Sequence, residues 1–159
     1  MRKTLAAVFV ALFVLTNPAL AEDLQKKFAL PERVQLAPMQ LPYQSDRGSG
    51  VTAVTVFLKP HDPKWLGRIC RHSPKVRDAL LQETFARPFQ GKGGKLALKG
   101  VGKRLVGPIN KALGADLVKD VFVAQGALRM GTGSISKLPF TSASGCASIK
   151  ELVIDGKLD

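Results

Sequence analysis

The sequence is poor in the residue types on which most catalytic and nucleic-acid-binding sites depend. Only two histidines, His61 and His72, could act as a general base near neutral pH. Aromatic residues make up 6% of the chain, and the basic stretch 92–111 contains none. A platform for single-stranded nucleic acid needs aromatic side chains interleaved with cations. We therefore expect neither an enzyme nor a nucleic-acid-binding protein.

Motifs for nucleophilic, metal-dependent or phosphate chemistry are also missing. The sequence has no GxSxG elbow and no HExxH helix. His61, Cys70 and His72 could supply metal ligands, but no CxxC or HxxxH spacing supports a tetrahedral site. The run 91–95 is rich in glycine and lysine, yet Leu96 follows where a phosphate-binding loop needs Ser or Thr. We expect a flexible linker there, no cofactor and no metal.

Cysteine is equally scarce, with only Cys70 and Cys146 in the chain. An even count in an exported protein favours a disulfide over free thiols. Such a bond would close a loop of about 75 residues and stabilise the fold by roughly 4 kcal/mol before strain. A buried pair of free thiols is the main alternative, and a metal site is a weaker one.

No uninterrupted apolar run in the sequence is long enough to span a membrane. The run at the N-terminus, 5–15, is shorter than the roughly 20 residues that a hydrocarbon core requires. Arg2 and Lys3 precede it, and small residues at 19–21 follow Pro18. This order is typical of a cleaved secretory signal. We predict a signal peptide over 1–21 and a soluble, periplasmic mature protein. A retained N-terminal anchor is the alternative.

Acidic residues are outnumbered by two to one, with 12 Asp and Glu against 24 Lys and Arg. Removing the expected signal takes away two cations and leaves a net charge of +10. A protein of this charge is attracted to acidic surfaces. In an exported compartment the expected partners are an acidic protein surface or anionic lipid head groups.

Hydrophobic patterning predicts strands at both ends of the central region. Apolar and polar residues alternate over 33–41, as in a strand. Pro38 predicts that this is an edge strand, because proline has no amide hydrogen to donate within a central strand. Residues 43–50 are predicted to be a turn, 51–58 a strand rich in β-branched residues, and 117–125 another strand. A further short strand could run through Leu128 and Met130, followed by a loop over 131–144.

Helices are predicted between these strands. Asp62 and Ser73, each before a proline, begin one bent helix or two short ones over 63–86. After a flexible connection over 88–94, a glycine-weakened helix is expected from Lys95 to Ala112, ended by Gly114. Residues 148–157 fit either a capped helix or a strand. The order predicts an α+β fold: a small antiparallel or mixed sheet with two or three helices packed on one face.

Five segments resemble the FliL family of flagellar basal-body-associated proteins. The segment 73–81, SPKVRDALL, is similar to the family's P-x-[IVL]-R-D-x-[IVL] helix start. The segments 109–114, INKALG, and 118–125, VKDVFVAQ, resemble its closing helix and strand. Residues 34–39 and 51–58 are similar to its opening pair of strands. The resemblance covers about residues 33–126.

The resemblance implies a stomatin-like or prohibitin-like domain that acts by protein–protein contact in the periplasm and is not an enzyme. It implies association with the flagellar basal body or motor, and so a role in motility, with homo-oligomers such as rings. The chain departs from the family by having a signal in place of the transmembrane anchor, two cysteines, and an added tail. We therefore expect four parts: a signal (1–21), a flexible lead-in (22–32), a FliL-like domain (33–130), and a tail (131–159) tied back by a disulfide.

The expected binding surface is a row of cations on the helix predicted from Lys95. Lys92, Lys95, Lys99 and Lys103 are spaced by three or four residues, with Arg104 beside them. On a helix they would form one stripe that could dock an acidic protein patch or, alternatively, anionic lipid or another acidic ligand. A solvated face that keeps a basic protein soluble would have the same pattern. A second basic group, 68–77, has the same two interpretations.

Overall fold

The computed structural model describes residues 30–129 and 138–154. The predicted signal (1–21) and residues 22–29 of the predicted lead-in (22–32) lie outside the described residues. Within the described ranges, no helix combines the length and the apolar character needed to cross a membrane.

The predicted α+β class is confirmed. In the described ranges, seven strands form one mixed open sheet and four helices pack with it. The elements are β1 (Arg33–Gln35), β2 (Met39–Ser45), β3 (Gly48–Pro60), α1 (Leu66–Arg71), α2 (Ser73–Ala86), β4 (Phe89–Lys92), β5 (Lys95–Leu96), α3 (Val101–Leu113), β6 (Val118–Gln125), β7 (Ala143–Gly145) and α4 (Cys146–Ile154).

The long strand β3 is the centre of the sheet. Its residue Val54 pairs with Met39 of β2 on one edge and with Gln125 of β6 on the other. Both β1 and β2 run antiparallel to β3, as two halves of one interrupted strand. Outside them, β7 adds in parallel to β1 and β4 adds in parallel to β2, and β5 returns antiparallel to β4.

The predicted edge strand over 33–41 is wrong in its position. Both β1 and β2 lie inside the sheet, each with a strand on either side. Pro38 is accommodated because it falls in the interruption between them, where no ladder bond is needed. The turn predicted over 43–50 is present but shorter, because β2 runs on to Ser45 and β3 begins at Gly48, which leaves residues 46 and 47 in the turn.

Residues 63–86 form separate short helices rather than one bent helix. Asp62 Oδ1 accepts a hydrogen bond from the Lys64 amide at 3.0 Å and caps a single 3-10 turn, Pro63–Trp65. α1 follows and ends at His72, and α2 begins with Ser73-Pro74. Proline at the start of a helix loses no hydrogen bond, because the first amides have no intrahelical partner.

One hydrophobic cluster joins the helices to one face of the sheet. On the sheet it contains Val54, Val56 and Leu58 of β3, with Val121 and Val123 of β6. All four helices add buried side chains to it; these are Leu66, Ile69, Val76, Leu80, Leu105, Ile109 and Ile149. The alternation in β3 and β6 therefore points every second residue into this core.

The opposite face of the sheet has a smaller cluster of its own. The rings of Phe57 and Phe122 meet the ring of Phe140, with centroids 5.0 and 5.5 Å from that of Phe140. The guanidinium of Arg33 lies 4.6 Å from the Phe140 ring centre, and its Nη2 donates to Asp120 Oδ2 at 2.9 Å. A cation over a ring and a carboxylate in contact offset the cost of burying this arginine.

Glu32 ties the segment that carries Phe140 to the central strand. Lys59 Nζ donates to its Oε1 at 2.8 Å, and the Thr141 amide donates to its Oε2 at 3.3 Å. The hydrogen bond from Lys59 is the main reason that the pKa of Glu32 is lowered from its ordinary value of 4.5. The carboxylate form is therefore favoured by folding.

We expect the variant Glu32→Gln to lose stability at neutral pH but not in acid. A carboxyl with a lower pKa in the folded state stabilises the fold above pH 4.5, and this stabilisation disappears as pH falls through the folded pKa. For a pair at the surface the loss should be below about 1 kcal/mol. Urea denaturation from pH 7 to pH 3 measures it. A constant difference between variant and parent across that range would contradict the linkage, and the exposed Asp46→Asn is the control.

Asn110 fixes the connection between α3 and β6. Its Oδ1 accepts the amides of Leu117 and Val118 at 3.2 and 2.9 Å, and its Nδ2 donates to the Val118 carbonyl at 2.9 Å. The same Nδ2 donates to Asp116 Oδ1. Asn110, which belongs to the segment that resembles the FliL pattern, therefore has a structural role at the C-terminus of α3.

The described part of the predicted tail is integral to the fold. Residues 143–145 add β7 to the sheet, and α4 buries Ile149 in the core. The two alternatives for 148–157 resolve as helix up to Ile154, and 155–159 lie outside the described residues. The further strand expected through Leu128 is wrong at Leu128, which is irregular, and Met130 lies outside the described residues.

The predicted disulfide is present in the structure. Cys70 of α1 is bonded to Cys146, the first residue of α4, with their Cα atoms 5.3 Å apart. Cys70 is buried in the main core. The bond therefore joins the helical layer to the C-terminal segment.

Candidate functional site

The lysines predicted to bind a partner are not on one helix. Lys92 ends β4, Lys95 begins β5, Lys99 lies in the turn after it, and Lys103 is in the first turn of α3. The helix predicted from Lys95 begins only at Val101, after a β-hairpin that replaces the predicted flexible connection. We call these four residues (Lys92, Lys95, Lys99 and Lys103) the lysine group.

The hairpin exists because its turn is made of two glycines. Gly93 and Gly94 have φ angles of 58° and 80°, the left-handed region that glycine enters without a steric cost. A two-residue turn with both φ angles positive matches the twist of antiparallel strands. The turn puts Lys92 and Lys95 directly opposite each other. Two like charges in this register destabilise a strand pair, so folding stability does not explain their placement.

The side chain of Gln125 holds this hairpin against the end of β6. Its Oε1 accepts the Leu96 amide at 2.9 Å, and its Nε2 donates to the Gly94 carbonyl at 2.8 Å. Among the described strands, β5 has only β4 as a neighbour, so these bonds supply a second anchor. These two hydrogen bonds join the hairpin to Gln125, the last residue of β6.

Tyr43 supports the hairpin from the other side. A Cβ placed on Gly50 would lie 3.0 Å from the Tyr43 ring, and one placed on Gly91 would lie 3.6 Å from it. The ring therefore fits between two residues that have no side chain. Gln125 and Tyr43 together position the pair Lys92 and Lys95.

Arg104 differs from the lysine group because it is engaged inside the fold. Its Nη2 donates to the carbonyl oxygen of Arg87 at 3.1 Å, and its Nε lies 3.6 Å from Glu83 Oε1. These contacts join α3 to the end of α2. Arg104 is predicted from the sequence as a partner-binding residue, and the structure gives it the task of joining two helices.

The lysine group lies in a stretch of the chain that has cations but no acidic residue. All four side chains are exposed, and none of them forms an ion pair within 30–129 and 138–154. The sequence from 84 to 115 has seven cations and no acid. Like charges on one surface create a positive potential that attracts acidic groups.

The few candidates for catalysis are occupied by structural contacts. Cys70 is in the disulfide, and His72 Nδ1 lies 3.0 Å from the Arg68 carbonyl at the junction of α1 and α2. His61 Nε2 lies 3.6 Å from Asp116 Oδ1 at the exposed end of β3. In the part of the chain that the structure describes, no three His, Cys, Asp or Glu side chains come together as a metal site would need.

Part of this site has a signal in the sequence. A Gly-Gly pair between short runs is a hairpin signal, and Gly93-Gly94 fits it. The contacts of Gln125 have no such signal, because its partners are 29 or more residues away in the sequence. The contact of Tyr43 with Gly50 has none either, because it depends on the pairing of β2 with β3. Comparison of the chain with protein-family models, with curated proteins and with solved structures gives no match.

Proposed function

We propose that the protein is an exported, non-catalytic interaction module that docks an acidic surface of a partner protein on its lysine group. The observation that supports this most is the set of four exposed lysines without an ion-pair partner in the described chain, two of them on a hairpin held by Gln125. A fixed hairpin presents its charges without a large ordering cost on binding.

Two further features support an exported protein. The N-terminus has the order of a secretory signal, and disulfides persist in oxidising compartments such as the periplasm. The flagellar basal body is the setting that the resemblance to the FliL family implies, and this part of the proposal rests on the sequence pattern alone. Docking on an acidic surface does not require a flagellar setting.

Charge reversal tests the proposal. We expect the triple variant Lys95→Glu, Lys99→Glu and Lys103→Glu to weaken partner capture by about tenfold or more, because each attractive contact becomes repulsive. Capture from a periplasmic extract, followed by titration of the purified partner at two salt concentrations, measures it. Binding by the parent should weaken as salt increases.

A matched control separates this surface from net charge. The variant Lys75→Glu, Lys119→Glu and Lys150→Glu changes the same charge at exposed lysines on α2, β6 and α4. It should capture the partner as the parent does. Equal loss in both triple variants would contradict a specific surface. Binding of the parent to vesicles of phosphatidylglycerol, with no acidic protein captured, would replace the protein partner by a lipid one.

A further inference from the structure

The face of the sheet that turns away from the main core is covered over only part of its width. Phe57 of β3 contacts Phe140 on this face. Thr55, two residues earlier in β3, is fully buried beneath the segment after β6, where its Oγ1 donates to the Gly126 carbonyl at 2.8 Å. Val51 is on the same face, because alternate residues of a strand point the same way, and it is 64% exposed. The cover therefore ends between Thr55 and Val51.

Tyr43 shows which residues of the neighbouring strands share this face. A Cβ placed on Gly50 or on Gly91 would point at the Tyr43 ring, and one on Gly91 would also lie 3.7 Å from Leu96. These four residues therefore point to the same face, the one that carries the main core. Successive residues of a strand alternate between the two faces, so the residues next to them point away from the core. We give the name open face to six of these: Pro42, Gln44, Val51, Gln90, Lys92 and Lys95.

The open face consists of three pairs in register, and each pair has one chemical character. The pairs are Val51 with Pro42, Gln44 with Gln90, and Lys92 with Lys95. Because the strands lie in the order β3, β2, β4 and β5, two apolar side chains are followed by two amides and then by two cations. The cations belong to the lysine group. The open face therefore continues that group across the sheet.

The chemistry of the open face favours a protein with acidic groups as its partner. A membrane surface is disfavoured, because the open face has no aromatic or long apolar side chain to enter the head-group region. A second copy of the chain is disfavoured as well, since a two-fold interface would use the same residues from both copies. It would bury Lys92 and Lys95 of each copy with no carboxylate from the open face to pair with them. The exposed amides of Gln44 and Gln90 both donate and accept, which suits the mixed polar groups of a protein surface.

We propose that the acidic partner protein also covers the open face, with carboxylates at Lys92 and Lys95 and an apolar side chain against Val51 and Pro42. This proposal rests on the proposed function and adds a source of specificity to it. Charge alone attracts every acidic surface. The apolar end of the open face selects those acidic surfaces that also carry an apolar side chain at the matching distance.

Two peptides of equal length and charge test this, one of alternating Glu and Leu and the other of alternating Glu and Ser. The parent protein should bind the Glu-Leu peptide about fivefold more tightly, because its leucine side chains gain a contact with Val51. The Glu-Leu peptide should shift the amide resonances of residues 49–52 and 90–92 in a saturable manner. Equal affinity for the two peptides, or shifts confined to residues elsewhere, would overturn the proposal.

Matched variants locate the contact. Val51→Ser should abolish the preference for the Glu-Leu peptide and leave the affinity for the Glu-Ser peptide unchanged. Phe85→Ser, which removes an exposed apolar side chain from α2 instead, should leave both affinities unchanged. Gln44→Glu should weaken binding of both peptides about threefold or more, because it adds a like charge, whereas Gln82→Glu at an exposed position of α2 should not. A preference that survives Val51→Ser would sink the assignment.

The reversal of Lys92 and Lys95 to Glu separates this proposal from the proposed function. It should weaken binding of both peptides about tenfold or more. If it does so while Val51→Ser and Gln44→Glu change nothing, the lysine group docks acidic surfaces and the role of the open face is overturned. If it leaves both affinities unchanged, the proposed function fails. Self-association of the parent that Val51→Ser abolishes would assign the open face to a second copy and would also overturn the proposal.

Discussion

Replacing both Cys70 and Cys146 with alanine should lower the free energy of unfolding by about 4 kcal/mol. The bond joins residues 76 positions apart in the sequence, and without it the unfolded chain gains the freedom of a large open loop. The loss is expected in the C-terminal segment first, since β7 pairs only with β1 in the described sheet. α4 also depends on its contact with α1 across this bond.

Urea denaturation of the double variant and of the oxidised parent measures this loss. The reduced parent should unfold at nearly the same urea concentration as the double variant, because both lack the same cross-link. Hydrogen exchange should be fastest at 143–154 and little changed in β3 and β6. A loss below about 1 kcal/mol would show that native packing, rather than the cross-link, holds this segment in place.

The variant Gly102→Ala is expected to destabilise the protein by about 3 kcal/mol, at the upper end of the cost of overpacking. A Cβ at Gly102 would overlap the carbonyl oxygen of Val121 and lie 3.0 Å from its carbonyl carbon. Both groups are backbone, so neither can rotate away as a side chain would. The first turn of α3 would have to move off β6, and the core contacts of Val101 and Leu105 would open.

The same helix offers a control of opposite sign. A Cβ at Gly107 meets nothing within 4 Å, and that residue has ordinary helical backbone. Gly107→Ala should therefore stabilise the protein by about 0.5–1 kcal/mol, since alanine restricts the unfolded chain more than glycine does. Thermal denaturation of both variants measures the difference. Similar effects of the two substitutions would contradict the close approach at Gly102.

Several elements could be predicted because their signals are local. The β-branched run 51–58 forms the central part of β3, and the apolar residues Leu80 and Ile109 lie in the core. Asp62 caps the turn before α1, and Gly114 ends α3 with a φ of 69°. Each of these signals acts within one strand or one helical turn. The tertiary contacts favour the same elements as these local signals do.

The arrangement of the lysine group differs from the one that the sequence predicts. The spacing of Lys95, Lys99 and Lys103 fits a helix, and α3 indeed follows at Val101. Gly93 and Gly94 instead turn the chain back on itself, so Lys95 pairs with Lys92 across a hairpin. A spacing of three or four residues has the same appearance in both structures. The Gly-Gly turn and the pairing of β4 with β2 favour the hairpin.

The chain by itself determined its class, its charge and its two cysteines, because composition and short-range pattern act without knowledge of distant partners. Tertiary structure alone decided that Pro38 falls in a break inside the sheet, that Arg104 joins two helices, and that Gln125 holds the lysine hairpin. These arrangements depend on hydrogen bonds and packing between residues far apart in sequence, and no local pattern specifies them.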